Sequence, residues 1–160
     1  MKFNTKLLHG KAGRNTPDGA TLPGISQVSA FSYDSAEHLE KVFGNKSPGF
    51  AYTRIGNPTV AAFEQRINEV EGGTGAVACA SGMAAITVAL LNVLSAGDEI
   101  IAGSGLFGGT IDLFKDLEAF GITTHFIPHI TVEDIKPVLN QNIKAVFGEI
   151  IGNPGLDVVN

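Results

Sequence analysis

The stretch from Gly75 to Thr110 constrains the fold more than any other part of the sequence. It begins with a short apolar run at 77–80, continues through a polar Ser-Gly-Met turn at 81–83, and is then apolar at nearly every position from 84 to 94. A helix that is apolar on all sides is usually packed on several sides. The stretch therefore predicts a buried strand at Val77–Ala80, a tight turn, and a buried helix at Ala84–Leu94.

The turn between this strand and this helix has the composition of an anion site. Ser81 and Gly82 would lie at the start of the helix, where the first backbone N–H groups have no partner inside the helix. The helix dipole adds partial positive charge at the same place, so a phosphate or a carboxylate can bind there. The alternative is a plain strand-to-helix turn in which Gly82 only provides backbone freedom.

Strands alternate with helices along the rest of the chain. Further strands are predicted at Glu99–Ala102, Ile122–Ile127 and Lys144–Ile151. Helices are predicted after an Asn57 cap with Pro58 in the first turn, at Thr110–Phe120, and after a Thr131 cap. This order predicts an α/β fold with a mostly parallel sheet between helices. Ligands of such sheets bind at the carboxyl ends of the strands.

Charge and cysteine content exclude several classes of protein. The net charge is −5 and no basic stripe is present, so we expect no nucleic-acid partner. Cys79 is the only cysteine, which excludes an internal disulfide and fits a reducing compartment. The first twelve residues have no signal-peptide run, and no apolar run is long enough to span a membrane. We therefore expect a cytoplasmic protein with no membrane partner.

The first 50 residues differ from the rest because they are rich in Gly, Pro, Ser and Asn. Only Ser35–Phe43 has the pattern of a helix, with Asp34 or Ser35 as its cap. A segment this long with so little periodicity is either mobile or packed along another surface. We interpret residues 1–50 as an arm that packs on a neighbouring subunit, and residues 51–160 as the first part of a ligand-binding domain.

Two other kinds of site are disfavoured. Gly103–Gly108 reads GSGLFG, which matches the glycine pattern of dinucleotide-binding turns, but the next strand has no acid to bind a ribose before Glu133. There is no Gly-Lys-Ser/Thr sequence, so a P-loop is excluded. His125 and His129 lie four residues apart with no third ligand nearby, so we expect no metal site.

Five motifs occur in a single order along the chain: FAYTRIGNPT, EGG, ASGMAAI, GDEIIAGSGLFGGT and GEIIGNP. Together they resemble the N-terminal part of the Cys/Met-metabolism family of pyridoxal-phosphate enzymes, from about His9 onward. The YTRIGNPT wording and the long arm are most similar to the O-acetylhomoserine sulfhydrylases of that family. The resemblance implies pyridoxal 5′-phosphate as cofactor and the first part of a type I aminotransferase-like large domain.

The resemblance also implies roles for two phosphate-binding groups. Tyr52 and Arg54 match a family loop that reaches across a dimer interface to the cofactor phosphate of the other subunit. Arg offers a planar fork of donors to a phosphate, and Tyr adds one hydroxyl donor. Gly82 and Met83 match the pair whose backbone N–H groups hold the same phosphate, which is the role that the turn suggested on physical grounds.

Three residues match family positions around the cofactor ring. Phe107 stands where the family usually has a Tyr that stacks on the pyridine ring, so the stacking face is kept and the hydroxyl is lost. The alternative for Phe107 is an ordinary core residue. Asn153 matches the residue that hydrogen-bonds the ring oxygen. Glu149 matches a supporting residue, whose carboxylate needs a partner such as Arg54 or a backbone group.

The implied activity is a transfer reaction of sulfur amino-acid metabolism. Acetate of O-acetyl-L-homoserine would be replaced by sulfide or a thiol, giving homocysteine or methionine. Loss of the Tyr hydroxyl at Phe107 would favour a substrate that leaves as easily as acetate. A related γ-synthase or γ- or β-lyase is the alternative within the family, and the implied assembly is a homotetramer built from two active dimers.

The resemblance places two groups of the family site beyond residue 160. These are the lysine that binds the cofactor covalently and the Asp that pairs with the pyridine nitrogen. We therefore expect the 160 residues to be the first part of a longer enzyme and to be inactive by themselves. A truncated product that acts only as an interaction module is the non-enzymatic alternative.

Overall fold

The computed structural model describes residues 2–10 and 19–159, and these form two compact units that divide between Ala78 and Cys79. Residues 11–18 of the predicted arm and the terminal residues 1 and 160 lie outside the described residues. The proposed arm boundary at residue 50 stays a prediction, as does packing of the arm on a neighbouring subunit.

The first unit contains three helices: α1 at Phe3–His9, α2 at Ala36–Phe43 and α3 at Pro58–Glu71. The predicted cap of α2 is confirmed, because Ser35 Oγ accepts the N–H of His38. Helix α1 was not predicted. It packs on α3, where Arg66 Nη1 donates to the carbonyl of Lys6 at 3.0 Å. An unpredicted helix of seven residues is stabilised mainly by such tertiary contacts.

The start of α3 confirms the prediction that Asn57 caps this helix and that Pro58 lies in its first turn. Asn57 Oδ1 accepts the N–H of Thr59 at 2.8 Å, and Pro58 occupies the first helical position. The helix ends at Gly72, whose φ of 69° lies in the left-handed region that favours glycine. The loop before Asn57 is tied to an earlier segment through an antiparallel bridge between Ala30 and Tyr52.

The second unit alternates helices and strands and contains a parallel sheet. Its elements are α4 at Gly82–Leu91, β1 at Glu99–Gly103, α5 at Gly108–Glu118, β2 at Thr123–Ile127, α6 at Val132–Ile135 and β3 at Ile143–Phe147. The three strands are parallel in the order β2-β1-β3. The predicted α/β class and parallel sheet are confirmed. Central strand β1 is the most buried, as expected for a strand with neighbours on both edges.

One face of the sheet carries the main core of the second unit. Ile100 and Ala102 of β1 are buried together with Leu90 of α4 and Leu117 of α5. Phe114 of α5 is fully buried, and its ring lies edge-on to the ring of Phe147 on β3, with centroids 5.2 Å apart. This packing fixes α5 on the sheet, and thereby fixes the loop that joins β1 to α5.

The predicted strand at Val77–Ala80 is wrong. The segment belongs to no strand, and Val77 is 81% exposed. A strand needs a neighbour that accepts its ladder hydrogen bonds, and no described segment pairs with this one. Helix α4 is likewise not packed on several sides: Val88 and Leu91 are about half exposed. Cys79, which belongs to the predicted buried strand, is only partly buried.

The last predicted strand is shorter than expected. Strand β3 ends at Phe147, and the chain then turns until Ile151 forms an antiparallel bridge with Val158. Apolar character at Ile150 and Ile151 extended the predicted strand beyond its true end, although both side chains are exposed. Among the described residues, no helix has the length and apolar character that crossing a membrane requires.

Candidate functional site

The first turn of α4 has the donors of an anion site. Ser81 caps the helix by accepting the N–H of Ala84 at 3.1 Å. The N–H groups of Gly82 and Met83 have no partner among the described residues, as expected for the first two positions of a helix. Apart from its chain neighbours and the backbone of α4 itself, no atom lies within 4 Å of the place where a Gly82 Cβ would stand, so this backbone is open to an approaching oxyanion.

Phe107 lies at the carboxyl edge of the sheet, in the loop between β1 and α5. Its side chain is 52% exposed, so the alternative that it is an ordinary core residue is wrong. The ring packs over the first turn of α5, where a Cβ added to Gly109 would stand only 2.8 Å from Phe107 Cε1. Glycine at position 109 therefore permits this position of the ring.

The structure places Glu149 and Asn153 against the loop between β1 and α5, which carries Phe107. Glu149 Oε1 accepts the backbone N–H of Phe107 at 2.8 Å, so this carboxylate has a backbone partner. The backbone N–H of Asn153 donates to the carbonyl of Gly105 at 3.1 Å. Phe107 and Asn153, the two residues predicted beside the cofactor ring, thus belong to adjoining loops.

A cavity of about 280 Å³ opens at this edge of the sheet. Its walls come from the loops that follow all three strands, and they include Gly105, His129, Thr131, Glu149 and Gly152. The cavity lies at the carboxyl ends of the strands, which is where parallel sheets bind ligands.

Tyr52 and Arg54 belong to the first unit, on the loop before α3. The Arg54 guanidinium lies 5.3 Å from the centroid of the Tyr52 ring, within cation–π range, and both side chains are exposed. No carboxylate pairs with Arg54 among the described residues. Buried Asn57 holds the loop by donating to the carbonyl of Ser26 at 3.0 Å and to Thr53 Oγ1 at 3.1 Å.

Comparison with known proteins identifies the family of this chain. The family profile of Cys/Met metabolism PLP-dependent enzymes matches residues 4–160. The chain belongs to this family. The cofactor of this family is pyridoxal phosphate.

Several members of the family resemble the chain over nearly all of its length. It is 40% identical to a homocysteine synthase of Schizosaccharomyces pombe, with 98% of the chain and 37% of the relative covered. It is also 40% identical to an O-acetyl-L-homoserine sulfhydrylase of Corynebacterium glutamicum, with 99% and 37% covered. An L-methionine gamma-lyase of Fusobacterium nucleatum is 36% identical, with 99% and 40% covered.

A solved structure of the family has the same fold. It is described as an O-acetylhomoserine (thiol)-lyase of Campylobacter jejuni, and it contains N′-pyridoxyl-lysine-5′-monophosphate. The TM-score is 0.91 at 31% identity, with all of the chain and 40% of that structure covered. The chain thus spans 37–40% of the length of these relatives.

The residues present fit the family's cofactor. Two unpaired N–H groups at the start of α4 are suitable donors for its phosphate, and the half-exposed ring of Phe107 offers an apolar face for a pyridine ring. The specific roles predicted for Tyr52, Arg54, Gly82, Met83, Phe107 and Asn153 stay predictions.

Sequence reasoning missed a polar cluster at the opposite edge of the sheet. Glu99 Oε2 lies 2.6 Å from His125 Nε2 and 2.8 Å from Asn140 Nδ2, and Asn142 Nδ2 lies 3.2 Å from Glu99 Oε1. These hydrogen bonds, from Asn140 first and then from His125 and Asn142, lower the pKa of Glu99 from its ordinary value of 4.5 to about 2. No group of three metal-binding side chains occurs in the described part of the chain.

Proposed function

We propose that this chain is part of a pyridoxal-phosphate-dependent transferase that exchanges the acetate of O-acetyl-L-homoserine for sulfide or a thiol. The products would be acetate and homocysteine, or methionine if the donor is methanethiol. The observation that carries the proposal is the 40% identity to a homocysteine synthase and to an O-acetyl-L-homoserine sulfhydrylase across nearly the whole chain.

In this proposal the first turn of α4 binds the cofactor phosphate. Gly82 and Met83 donate their free N–H groups, and the partial positive charge of the ten-residue helix adds to the attraction. Ser81 keeps the turn in shape because its hydroxyl is already engaged as the cap. Neutral backbone donors and a helix dipole hold a dianion without transferring a proton to it.

The loops at the carboxyl edge position the ring. Phe107 stacks on the pyridine ring, and the Asn153 side chain donates to the ring oxygen. When bound, the cofactor supplies the electron sink for reaction at the amino-acid substrate. Because Phe107 has no hydroxyl, it cannot pass a proton to a leaving group. Acetate leaves without such help more readily than a thiolate does, and this supports an O-acetyl substrate.

The first unit contributes to a second subunit in this proposal. Tyr52 and Arg54 are exposed, and no acidic side chain neutralises Arg54 among the described residues. Both groups are therefore available to the phosphate of a neighbouring copy. The proposed assembly is a homotetramer of two active dimers.

A γ-elimination reaction is the second candidate. It is supported by 36% identity to an L-methionine gamma-lyase over 99% of the chain. The two candidates differ in whether a sulfur nucleophile is consumed. The transferase needs sulfide or a thiol to form product from O-acetyl-L-homoserine. The lyase converts L-methionine and water to methanethiol, a 2-oxo acid and ammonia, and consumes no sulfur nucleophile.

The phosphate site can be tested by one pair of substitutions at position 82. Gly82→Pro removes one N–H donor, and proline is tolerated at the first helical position. The preceding Ser81 has φ −159° and ψ 165°, an extended conformation that a following proline permits. Gly82→Ala is the matched control, since it keeps the N–H and its Cβ would meet open space.

We expect Gly82→Pro to weaken binding of pyridoxal phosphate about tenfold, which is the effect of one hydrogen bond to a charged group. Gly82→Ala should bind nearly as the unsubstituted protein does. Titrations followed at the amide resonances of Met83 measure both variants. Equal affinity of the two variants would show that the Gly82 N–H does not hold the phosphate.

The reaction is tested on protein purified from its natural source. Its intact mass and visible absorption spectrum are measured first, followed by assays of O-acetyl-L-homoserine with sulfide and of L-methionine alone. A yellow protein larger than these 160 residues that forms homocysteine supports the transferase. Formation of 2-oxo acid from L-methionine supports the lyase, and a colourless protein of 160 residues supports the interaction module.

A further inference from the structure

The carboxylate of Glu149 accepts a hydrogen bond at the N-terminus of α5, a helix that lies far from it in the sequence. Phe107 occupies the N-cap position of α5, but its own side chain cannot cap the helix. Glu149 Oε1 accepts the Phe107 N–H at 2.8 Å, between residues 42 positions apart. The bond therefore joins the loop after β1 to the loop after β3, and it places a negative charge at the positive end of α5.

A second contact joins the same two loops one step away. The N–H of Asn153 donates to the carbonyl of Gly105 at 3.1 Å. A Cβ added to Gly152 would stand 3.2 Å from the same carbonyl oxygen, so the two backbones approach closely because position 152 is glycine. The two loops are thus held by a side-chain bond at Glu149 and by backbone contact at Gly152 and Asn153.

The turn that carries Asn153 is closed on itself. Gly152 N–H donates to the carbonyl of Asp157 at 2.7 Å, and Leu156 N–H donates to the carbonyl of Gly152 at 3.0 Å. Ile151 and Val158 form an antiparallel bridge around it. This turn is ordered by its own hydrogen bonds. Its contacts with the loop after β1 therefore hold the two segments in a fixed position relative to each other.

We propose that Glu149 is a positioning residue that fixes Phe107 relative to Asn153, so that ring stacking and the hydrogen bond to the ring oxygen occur in one geometry. The inference rests on the proposed cofactor site and assigns to Glu149 no contact with the cofactor. Removal of the carboxylate frees the Phe107 N–H and loosens the loop, while the phosphate donors at Gly82 and Met83 remain in place on α4.

The test compares Glu149→Ala with Glu149→Gln in the ¹⁵N-labelled chain. The Gln variant keeps a carbonyl oxygen that can accept the Phe107 N–H, whereas the Ala variant has no acceptor. Glu118→Ala is the matched control, because Glu118 is an exposed acid at the other end of α5. Hydrogen exchange at the Phe107 amide reports the bond directly, and exchange at Ile101 of the buried central strand reports whether the variant is folded.

Two titrants separate positioning from general destabilisation. Inorganic phosphate probes only the phosphate-binding groups, which include the donors at Gly82 and Met83, whereas pyridoxal phosphate also needs the ring positions. For Glu149→Ala we expect Phe107 amide exchange to be at least about tenfold faster, pyridoxal phosphate affinity to fall about tenfold, and inorganic phosphate affinity to stay unchanged. Glu149→Gln should restore most of the protection of the Phe107 amide and most of the affinity for pyridoxal phosphate.

The outcomes distinguish this proposal from the proposed function. If Phe107 exchange does not change in the folded Ala variant, or if both titrants lose affinity equally, the positioning role is overturned while the cofactor site stands. If Glu149→Ala does not fold, the Gln variant decides, and a tenfold loss of both titrants there overturns the positioning role. If the unsubstituted protein at its natural length binds neither titrant at Gly82 and Met83, the proposed function fails and the positioning role with it.

Discussion

Glu99 and His125 are joined across the first two strands of the sheet, with 2.6 Å between Oε2 and Nε2. Two asparagines that precede β3, Asn140 and Asn142, donate to the same carboxylate. The Glu99 side chain thus connects the start of β1 with the middle of β2 and with the segment that precedes β3. The cluster lies at the opposite edge of the sheet from Phe107, so it bears on stability and not on the candidate site.

This cluster predicts how stability depends on pH. The pKa of Glu99 is about 2 in the folded protein against an ordinary value of 4.5. A carboxyl whose pKa is lowered by folding contributes stability that is fully present above the unfolded pKa and is lost as pH falls towards the folded pKa. We expect the contribution to be complete above about pH 4.5 and to disappear between pH 4.5 and pH 2.

Glu99→Gln isolates this contribution. The variant should be less stable than the unsubstituted protein at pH 7, and its free energy of unfolding should fall less steeply between pH 4.5 and pH 2. Urea unfolding at several pH values measures both quantities. Glu118→Gln, an exposed acid of the same unit, is the control. Parallel curves for Glu99→Gln and the unsubstituted protein would contradict the prediction.

Asn57 should stabilise both the helix α3 and the loop before it. It is buried, caps α3 through Oδ1, and donates through Nδ2 to Ser26 and Thr53. We expect Asn57→Ala to lower the free energy of unfolding by about 2 kcal/mol, since a cap and two further hydrogen bonds are lost. Denaturant unfolding provides the measurement.

Asn57→Asp separates the two roles of this side chain. The aspartate keeps an acceptor for the Thr59 N–H but cannot donate to Ser26. It should therefore keep α3 intact while faster amide exchange appears in the loop around Thr53. A loop that stays protected in the Asp variant would show that Asn57 acts only as a cap.

Adjacent glycines at the start of α5 offer a matched test of the Phe107 ring position. A Cβ at Gly109 would stand 2.8 Å from Phe107 Cε1, whereas a Cβ at Gly108 would meet open space. Both Gly→Ala changes raise helix propensity similarly, by about 1 kcal/mol. We expect Gly109→Ala to turn the ring and weaken pyridoxal phosphate binding severalfold, and Gly108→Ala to leave binding unchanged.

The measurement for these two variants is a pyridoxal phosphate titration alongside thermal unfolding. Since the helix propensity change is shared, a difference in affinity between them reports the ring and not the helix. Equal affinities would mean that the observed ring position is not needed for binding.

Arg54 should matter through the geometry of its guanidinium as well as its charge. Arg54→Lys keeps the charge but loses the planar fork that binds a phosphate through two donors. We expect the assembled protein to bind pyridoxal phosphate about tenfold more weakly with Lys at this position. Lys136→Gln, which removes an exposed charge from the second unit, is the control for a general effect of net charge. Unchanged affinity of Arg54→Lys would remove Arg54 from the proposed site.

Much of the local structure was determined by the sequence alone. The caps of α2, α3 and α4 at Ser35, Asn57 and Ser81 and the three parallel strands follow from residue type and periodicity. These features depend on neighbours in the chain: a side-chain oxygen next to a helix start, or apolar residues bounded by turns. The anion-binding character of the Ser81-Gly82 turn was predictable for the same reason.

Features that depend on distant residues were decided by the tertiary structure. Val77–Ala80 has the composition of a strand but lacks a described partner, and strand formation needs that partner. The bond from Phe107 to Glu149 joins residues 42 positions apart, and the cluster around Glu99 spans more than 40 positions. The packing of helices on the sheet brings such groups together, so local patterns reveal which side chains are polar but not which of them will meet.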